Sequence, residues 1–291
     1  MNVAIVTDST ADIPQHLVDA LNIKVIPLAV HFGGRAYLDR IDISNDAFYE
    51  YIGTAKTLPT TSQPSPAQYM DVYRACKAEG AEKIISIHLS SEMSGTYQGA
   101  LLAADMVKDE VDVTVIDSRT VTIGLGLMVV LLAQYVQNHQ DVTWEALRAH
   151  IDDMTKKMRI YFLLDTLDNL QKGGRIGKAS YLVGSILNIK PILVVEDGFI
   201  GAHEKVRGKK IEKAIEHLSN TVVAMMEPNK KLYYTLGTNN DDYLQLFEKS
   251  LLPKLAAHQL GEVERLPNFE LGCVVTTHIG LGGFGIAFYQ E

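Results

Sequence analysis

Along the first half of the chain, short apolar runs rich in β-branched residues alternate with segments whose apolar positions recur every three or four residues. The runs at 3–7, 25–31, 84–89 and 113–116 read as strands, and 14–21, 67–78 and 96–107 carry helical spacing, as in Tyr97, Leu101, Ala104 and Val107. A more polar helix is predicted over 45–53. This βαβα order predicts a mostly parallel sheet with helices on both faces. Ligands of such sheets lie at the carboxyl ends of the strands. Hydroxyls collect at those ends here: Asp8-Ser9-Thr10, the stretch from Ser90 to Thr96, and Asp117-Ser118-Arg119-Thr120.

Beyond helices predicted at 124–138 and 144–157 the pattern changes. The runs 192–195 and 199–203 flank Glu196-Asp197-Gly198, and Asp-Gly supplies the positive φ of a tight hairpin turn. Further strands are predicted at 160–164, 232–236, 273–278 and 285–289, with helices at 208–220 and 241–258. The expectation is a fold of two α/β domains: an N-terminal one with the parallel sheet and a C-terminal one with a mixed sheet. A boundary near residue 155 divides the 291 residues, more than one average domain holds, into 1–155 and 156–291.

Composition narrows the function. The 27 Lys and Arg are scattered against 35 Asp and Glu, a net charge of −8, which offers little to a nucleic-acid backbone. Cys76 and Cys273 are far apart and belong to no Cys/His cluster, so neither a disulfide framework nor a zinc site is expected, and a reducing compartment fits. The first residues enter a strand without a basic n-region or cleavage site, and the least charged stretch, 121–136, falls short of the roughly 20 residues of a membrane span. A cytoplasmic protein without stable membrane insertion is the expectation.

Several motifs fail on their surroundings. Gly280-Leu281-Gly282-Gly283-Phe284-Gly285 has the spacing of a dinucleotide fingerprint, but only six residues follow it, leaving no room for the required helix and acidic residue. The Gly173–Ala179 segment resembles a phosphate loop with one residue too few and Ala179 in the hydroxyl position. Ser94 lacks both glycines of a nucleophile elbow, since Glu92 and Thr96 stand there. Asp165 and Asp168 serve as well for a helix cap as for a metal, and no third ligand supports a metal. What remains is a set of donors without a catalytic arrangement: 59–64 with Thr60, Thr61 and Ser62, the Ser90–Thr96 turn, Arg207 and His278. Hydroxyls, a helix N-terminus and an arginine suit a carboxylate or a phosphate.

The segments TDSTADIP (7–14), IPLAV (26–30), TTSQPS (60–65), LSSEMSGTYQGA (89–100), VIDS (115–118), LDNLQKGGRIGK (167–178), LNIKPIL (187–193), KVRGKK (205–210) and HIGLGGFG (278–285) occur in order over nearly the whole chain. In these the chain resembles the DegV family of bacterial fatty-acid-binding proteins. The resemblance implies a binding protein rather than an enzyme, with no cofactor and no catalytic residue. A long-chain fatty acid such as palmitate would lie in an apolar tunnel, its carboxylate held by Thr61 and Ser94, with Arg207 and His278 near the head group. It further implies presentation of the fatty acid to a fatty-acid kinase for phospholipid synthesis. Where the family pattern has His-Thr-Gly-x-Gly, this chain has His278-Ile279-Gly280-Leu281-Gly282, so one hydroxyl is replaced by an apolar side chain. The competing expectations are an acyl-transfer or hydrolytic enzyme using Ser94 or Thr61 with His278, and a sugar- or nucleotide-phosphate enzyme using the 172–178 loop.

Overall fold

The computed structural model describes residues 2–139, 141–182, 189–208 and 210–291; Leu187, Asn188 and Lys209 of the quoted segments lie outside them. In chain order the first half forms β1 (Val3–Asp8), α1 (Gln15–Ala20), β2 (Lys24–Ile26), β3 (Ala29–Phe32), β4 (Arg35–Leu38), α2 (Asn45–Thr54), β5 (Thr60–Ser62), α3 (Pro66–Ala78), β6 (Lys83–His88), α4 (Thr96–Met106), β7 (Val113–Asp117) and α5 (Thr122–Asn138). The second half adds α6 (Trp144–Lys157), β8 (Arg159–Leu163), α7 (Asp168–Lys172), β9 (Ile189–Glu196), β10 (Phe199–Arg207), α8 (Ile211–Ala224), β11 (Leu232–Thr238), α9 (Asp241–Ala257), β12 (Val263–Arg265), β13 (Phe269–Glu270), α10 (Cys273–Ile279) and β14 (Phe284–Gln290).

Two α/β domains result. The N-terminal one is built on a parallel sheet of order β2-β1-β6-β7. One face packs on α3 and α4 through Tyr69, Tyr73, Ala100 and Ala103, and the other on α1 and α5. The C-terminal sheet is mixed, of order β10-β9-β8-β14-β11-β12, with β13 also paired to β11. Its outer face is covered by α8 and α9 through Leu218, Phe247 and Leu251, and its inner face by α5 and α6. Helix α5 therefore lies between the sheets. All twelve residues from Thr122 to Ala133 are buried, as a helix apolar on every side requires. The Asp197-Gly198 turn closes the β9–β10 hairpin with φ of 52° and 82°, the two positive values of a type I′ turn.

Two predicted strands are corrected. The run 25–31 is broken into β2 and β3, which belong to different sheets. Pro27 has no amide hydrogen to continue a ladder, and the Leu28 N–H is given to Ser9 Oγ at 3.1 Å. The chain leaves the parallel sheet there and forms a small antiparallel sheet, β4-β3-β5, that the pattern did not predict. The run 273–278 is helix α10. Its residues through Thr277 are all buried, so burial carries no helical or strand period. The threonine hydroxyls return to backbone carbonyls, Thr277 to Cys273 at 2.8 Å and Thr276 to Leu271 at 3.1 Å. Tertiary contacts thus override a β-branched composition.

Candidate functional site

Between the two sheets lies a narrow cavity of about 90 Å³. Its wall is apolar over most of its extent: Leu28 and Leu89 from just beyond the ends of β2 and β6, Ile123 from α5, Ile160 and Phe162 from β8, Ile200 from β10, Val274, Val275 and Ile279 from α10, and Phe284 from β14. Polar side chains enter from Thr10, Thr61, Ser94, Thr122, Arg175 and His278. The alternation of β8 places Ile160, Phe162 and Leu164 on the face turned to the cavity.

Thr61 and His278 meet although 217 residues separate them: Thr61 Oγ1 and His278 Nε2 share a hydrogen bond of 2.8 Å. Strand β5 delivers Thr61 by pairing Val30 with it, and the last turn of α10 delivers His278. The other ring nitrogen, Nδ1, is buried without a partner. It lies against Gly173, where a Cβ would fall 2.6 Å from it, so only glycine fits. Burial, aided by the charge of Arg175, lowers His278 to a pKa of about 4. The ring is neutral at pH 7.

Ser94 sits in the turn between β6 and α4. Its Oγ bonds Thr96 Oγ1 at 2.8 Å and accepts the Thr96 N–H at 3.3 Å, so it helps cap α4 as well as lining the cavity. Gly95, the N-cap of α4, faces the 60–65 segment, and a Cβ there would meet only the far end of the flexible Gln63 side chain. The other hydroxyls of the stretch are committed to structure. Ser90 donates to the Gly198 carbonyl at 2.8 Å, joining this turn to the β9–β10 hairpin, and Ser91 donates to Asp117 at 2.5 Å.

Arg207 does not line the cavity. It is exposed at the end of β10, and its carbonyl accepts from Lys213 Nζ. Arg175 does line it, steered by bonds to the Met93 carbonyl (Nε, 3.1 Å) and the Gly173 carbonyl (Nη1, 2.6 Å). Arg175 is exposed as well as lining the cavity, and sequence analysis did not single it out. The signal was the glycine-flanked position itself, in a segment that failed as a phosphate loop. Thr10, at the carboxyl end of β1, lines the cavity as the strand-end reading implies, and Thr122 is a wall residue that reading did not name.

The rejected motifs find structural roles. The glycines from 280 turn α10 into β14, with Gly280 and Gly282 at φ of 76° and 85°. His88 is fully buried, bonded through Nδ1 to Asp8 at 2.9 Å and through Nε2 to Ser86 at 2.7 Å. Asp165 accepts from Lys190 and Tyr243, and Asp168 opens α7. Among the described residues no group of three or more His, Cys, Asp or Glu side chains is placed to hold a metal ion, and no helix is long and apolar enough to cross a membrane.

Chemically, the site joins an apolar slot to hydroxyls, a neutral imidazole and one guanidinium. Thr61 and His278 have the contact of a nucleophile and a base, but no carboxylate bonds Nδ1 to orient the ring as a triad does.

Comparison with known proteins places this arrangement. A family model, DegV, described as "Uncharacterised protein, DegV family", matches residues 2–291. A DegV domain-containing protein of Caldanaerobacter subterraneus subsp. tengcongensis is 34% identical over 291 residues, covering 99% of each chain. Among solved structures, a DegV family protein of Thermus thermophilus described for its fatty acid binding superposes with a TM-score of 0.90 at 33% identity, with 100% of both chains covered. DegV of Bacillus subtilis, described as a fatty acid binding protein, superposes with a TM-score of 0.84 at 32% identity, again over 100% of both chains.

Proposed function

The chain belongs to the DegV family, and on that premise we propose that it binds a long-chain fatty acid such as palmitate. The acyl chain lies in the cavity between the sheets, and the carboxylate is held at the Thr61, Ser94 and His278 end. The observation that carries this reading is the union of a mostly apolar slot with a cluster of uncharged donors and one cation, Arg175, at the same cavity. About 14 methylenes at about 0.8 kcal/mol each offer roughly 11 kcal/mol before binding costs are met. An unpaired buried carboxylate would cancel much of that, so donors at one end are a physical requirement. The similar proteins of T. thermophilus and B. subtilis described as fatty-acid binding support the ligand class.

On this reading the protein is a cytoplasmic carrier that presents its ligand to a fatty-acid kinase, with units at 1–155 and 156–291 closing on the chain. The exposed Arg207 faces that partner rather than the acyl chain. Native mass spectrometry of the purified protein is the direct test. A noncovalent mass of a C14–C18 fatty acid is expected, and failure to take up palmitate after delipidation would falsify the reading. The Thr61–His278 contact favours a second reading, acyl transfer. A covalent acyl adduct in intact-mass spectra after incubation with an activated acyl ester would establish it.

A further inference from the structure

The first amides of α10 are held by two carboxyls from the other half of the chain. Gly272 N–H donates to Asp12 Oδ1 at 2.9 Å, and Cys273 N–H donates to Asp39 Oδ1 at 3.2 Å. Both side chains are buried, and they flank Gly272 so closely that a Cβ there would meet Asp12 Oδ1 at 2.7 Å and both Asp39 oxygens at 3.6 Å. Asp12 also accepts from Thr122 Oγ1 at 2.6 Å, and the Asp39 N–H donates to the Leu28 carbonyl at 2.9 Å. Leu28, Thr122, Val274, Val275 and His278 all line the cavity. One acidic pair thus touches or directly anchors three of its walls.

We propose that Asp12 and Asp39 are positioning residues of the site: they clasp the start of α10, keep His278 seated against Thr61, and one of them stays protonated at neutral pH, the loss of that proton loosening the clasp. The charge balance argues for the proton. The ionisable groups around the pair are Arg40, Tyr49 and Cys273, with Glu270 acting on Tyr49. Of these only Arg40 is a cation, and burial raises both Tyr49 and Cys273, keeping them neutral. Two carboxylates against one guanidinium leave a buried net negative charge, which a single proton removes. Asp39 Oδ2 has no hydrogen-bond partner, and burial outweighs what the nearby Ser9 hydroxyl, Cys273 and Arg40 offer its ionised form. Consistent with this, burial pushes Asp12 up to about 8 and raises Asp39.

The binding arm of the test rests on the fatty-acid reading, and the exchange arm does not. Amide hydrogen exchange over residues 272–279 of the ligand-free protein, corrected for intrinsic rates, is to be followed from pH 7 to about 9.5 beside palmitate titrations. Palmitate is itself an ionised carboxylate throughout that range. In the wild type, α10 protection and palmitate affinity should fall together, each by about tenfold, the effect of roughly one unit of differential proton affinity. Asp12→Asn keeps an amide acceptor but cannot titrate, so it should flatten both profiles while retaining the clasp. Asp12→Ala should lower α10 protection at every pH. If that variant does not fold, Thr122→Val, which strips one donor from Asp12, should move the wild-type transition to higher pH. Identical profiles for wild type and Asp12→Asn, or α10 protection independent of pH, would overturn the proposal. Absence of palmitate uptake at every pH would instead remove the fatty-acid reading and leave the exchange arm to judge the clasp.

Discussion

In the ligand-free protein, burial and Arg175 lower the His278 imidazole to a pKa of about 4, so the ring that meets an incoming carboxylate at neutral pH is an uncharged hydrogen-bonding group. That leaves the hydroxyls to make the short contacts. A hydrogen bond to a charged group is worth about 1.5–3 kcal/mol, so Ser94→Ala and Thr61→Ala should each weaken palmitate binding roughly 10- to 100-fold in a titration. The double variant should lose less than the sum, because both hydroxyls serve one carboxylate. The two single variants should differ in stability. Ser94 also accepts the Thr96 N–H, so its removal costs part of a helix cap, about 1 kcal/mol, whereas Thr61→Ala frees a ring nitrogen of His278. Normal binding by Ser94→Ala would return that hydroxyl to capping alone.

Helices α10 and α7 act as one element, because Asn169 Nδ2 of α7 donates to the Thr277 carbonyl at 3.2 Å while Gly173, the C-cap of α7, packs on the His278 ring. The glycines around the site therefore differ in what they tolerate. Gly95→Ala meets only the far end of Gln63, a flexible side chain, and should leave binding and melting temperature nearly unchanged. Gly173→Ala meets His278 Nδ1 at 2.6 Å and the Asn169 carbonyl at 3.0 Å, neither free to move away. It should push the ring off Thr61 and weaken palmitate binding by about tenfold or more, the cost of a charge-assisted contact. Titration and thermal melts of the two variants side by side check this, and equal affinities would contradict the seating of His278.

Over the whole molecule, the two buried titrations oppose each other in a defined window. His278 has a folded pKa of about 4 against an ordinary 6.5, so the stability it contributes is present above pH 6.5 and is lost as pH falls through 4. Asp12 has a folded pKa of about 8 against an ordinary 3.8, so its contribution is full below pH 4 and is lost as pH rises through 8. Between pH 4 and 6.5 they compensate. From pH 6.5 to 8 the Asp12 loss stands without a matching gain from His278, so the melting temperature of the ligand-free protein should decline there, and should decline less in Asp12→Asn. Scanning calorimetry in buffers of constant ionic strength reads this directly.

Local pattern by itself determined the alternating elements of the first half, the β9–β10 hairpin and the hydroxyls at the carboxyl ends of β1, β6 and β7. Those features rest on period, on turn chemistry and on where a parallel sheet ends, all of which are written within short windows. It could not determine α10, whose β-branched residues are buried throughout and so carry no period, nor the break at Pro27 that sends β3 into a separate sheet. The ordered motif set singled out Thr61, Ser94, Arg207 and His278, but their arrangement was a tertiary matter. Folding pairs Thr61 with His278 across 217 residues, places Arg175 rather than Arg207 at the cavity, and joins Asp12 and Asp39 to an amide pair more than 230 positions away. Contacts of that range depend on how two sheets close around α5, and no local periodicity encodes a distance between segments that meet only once the core has formed.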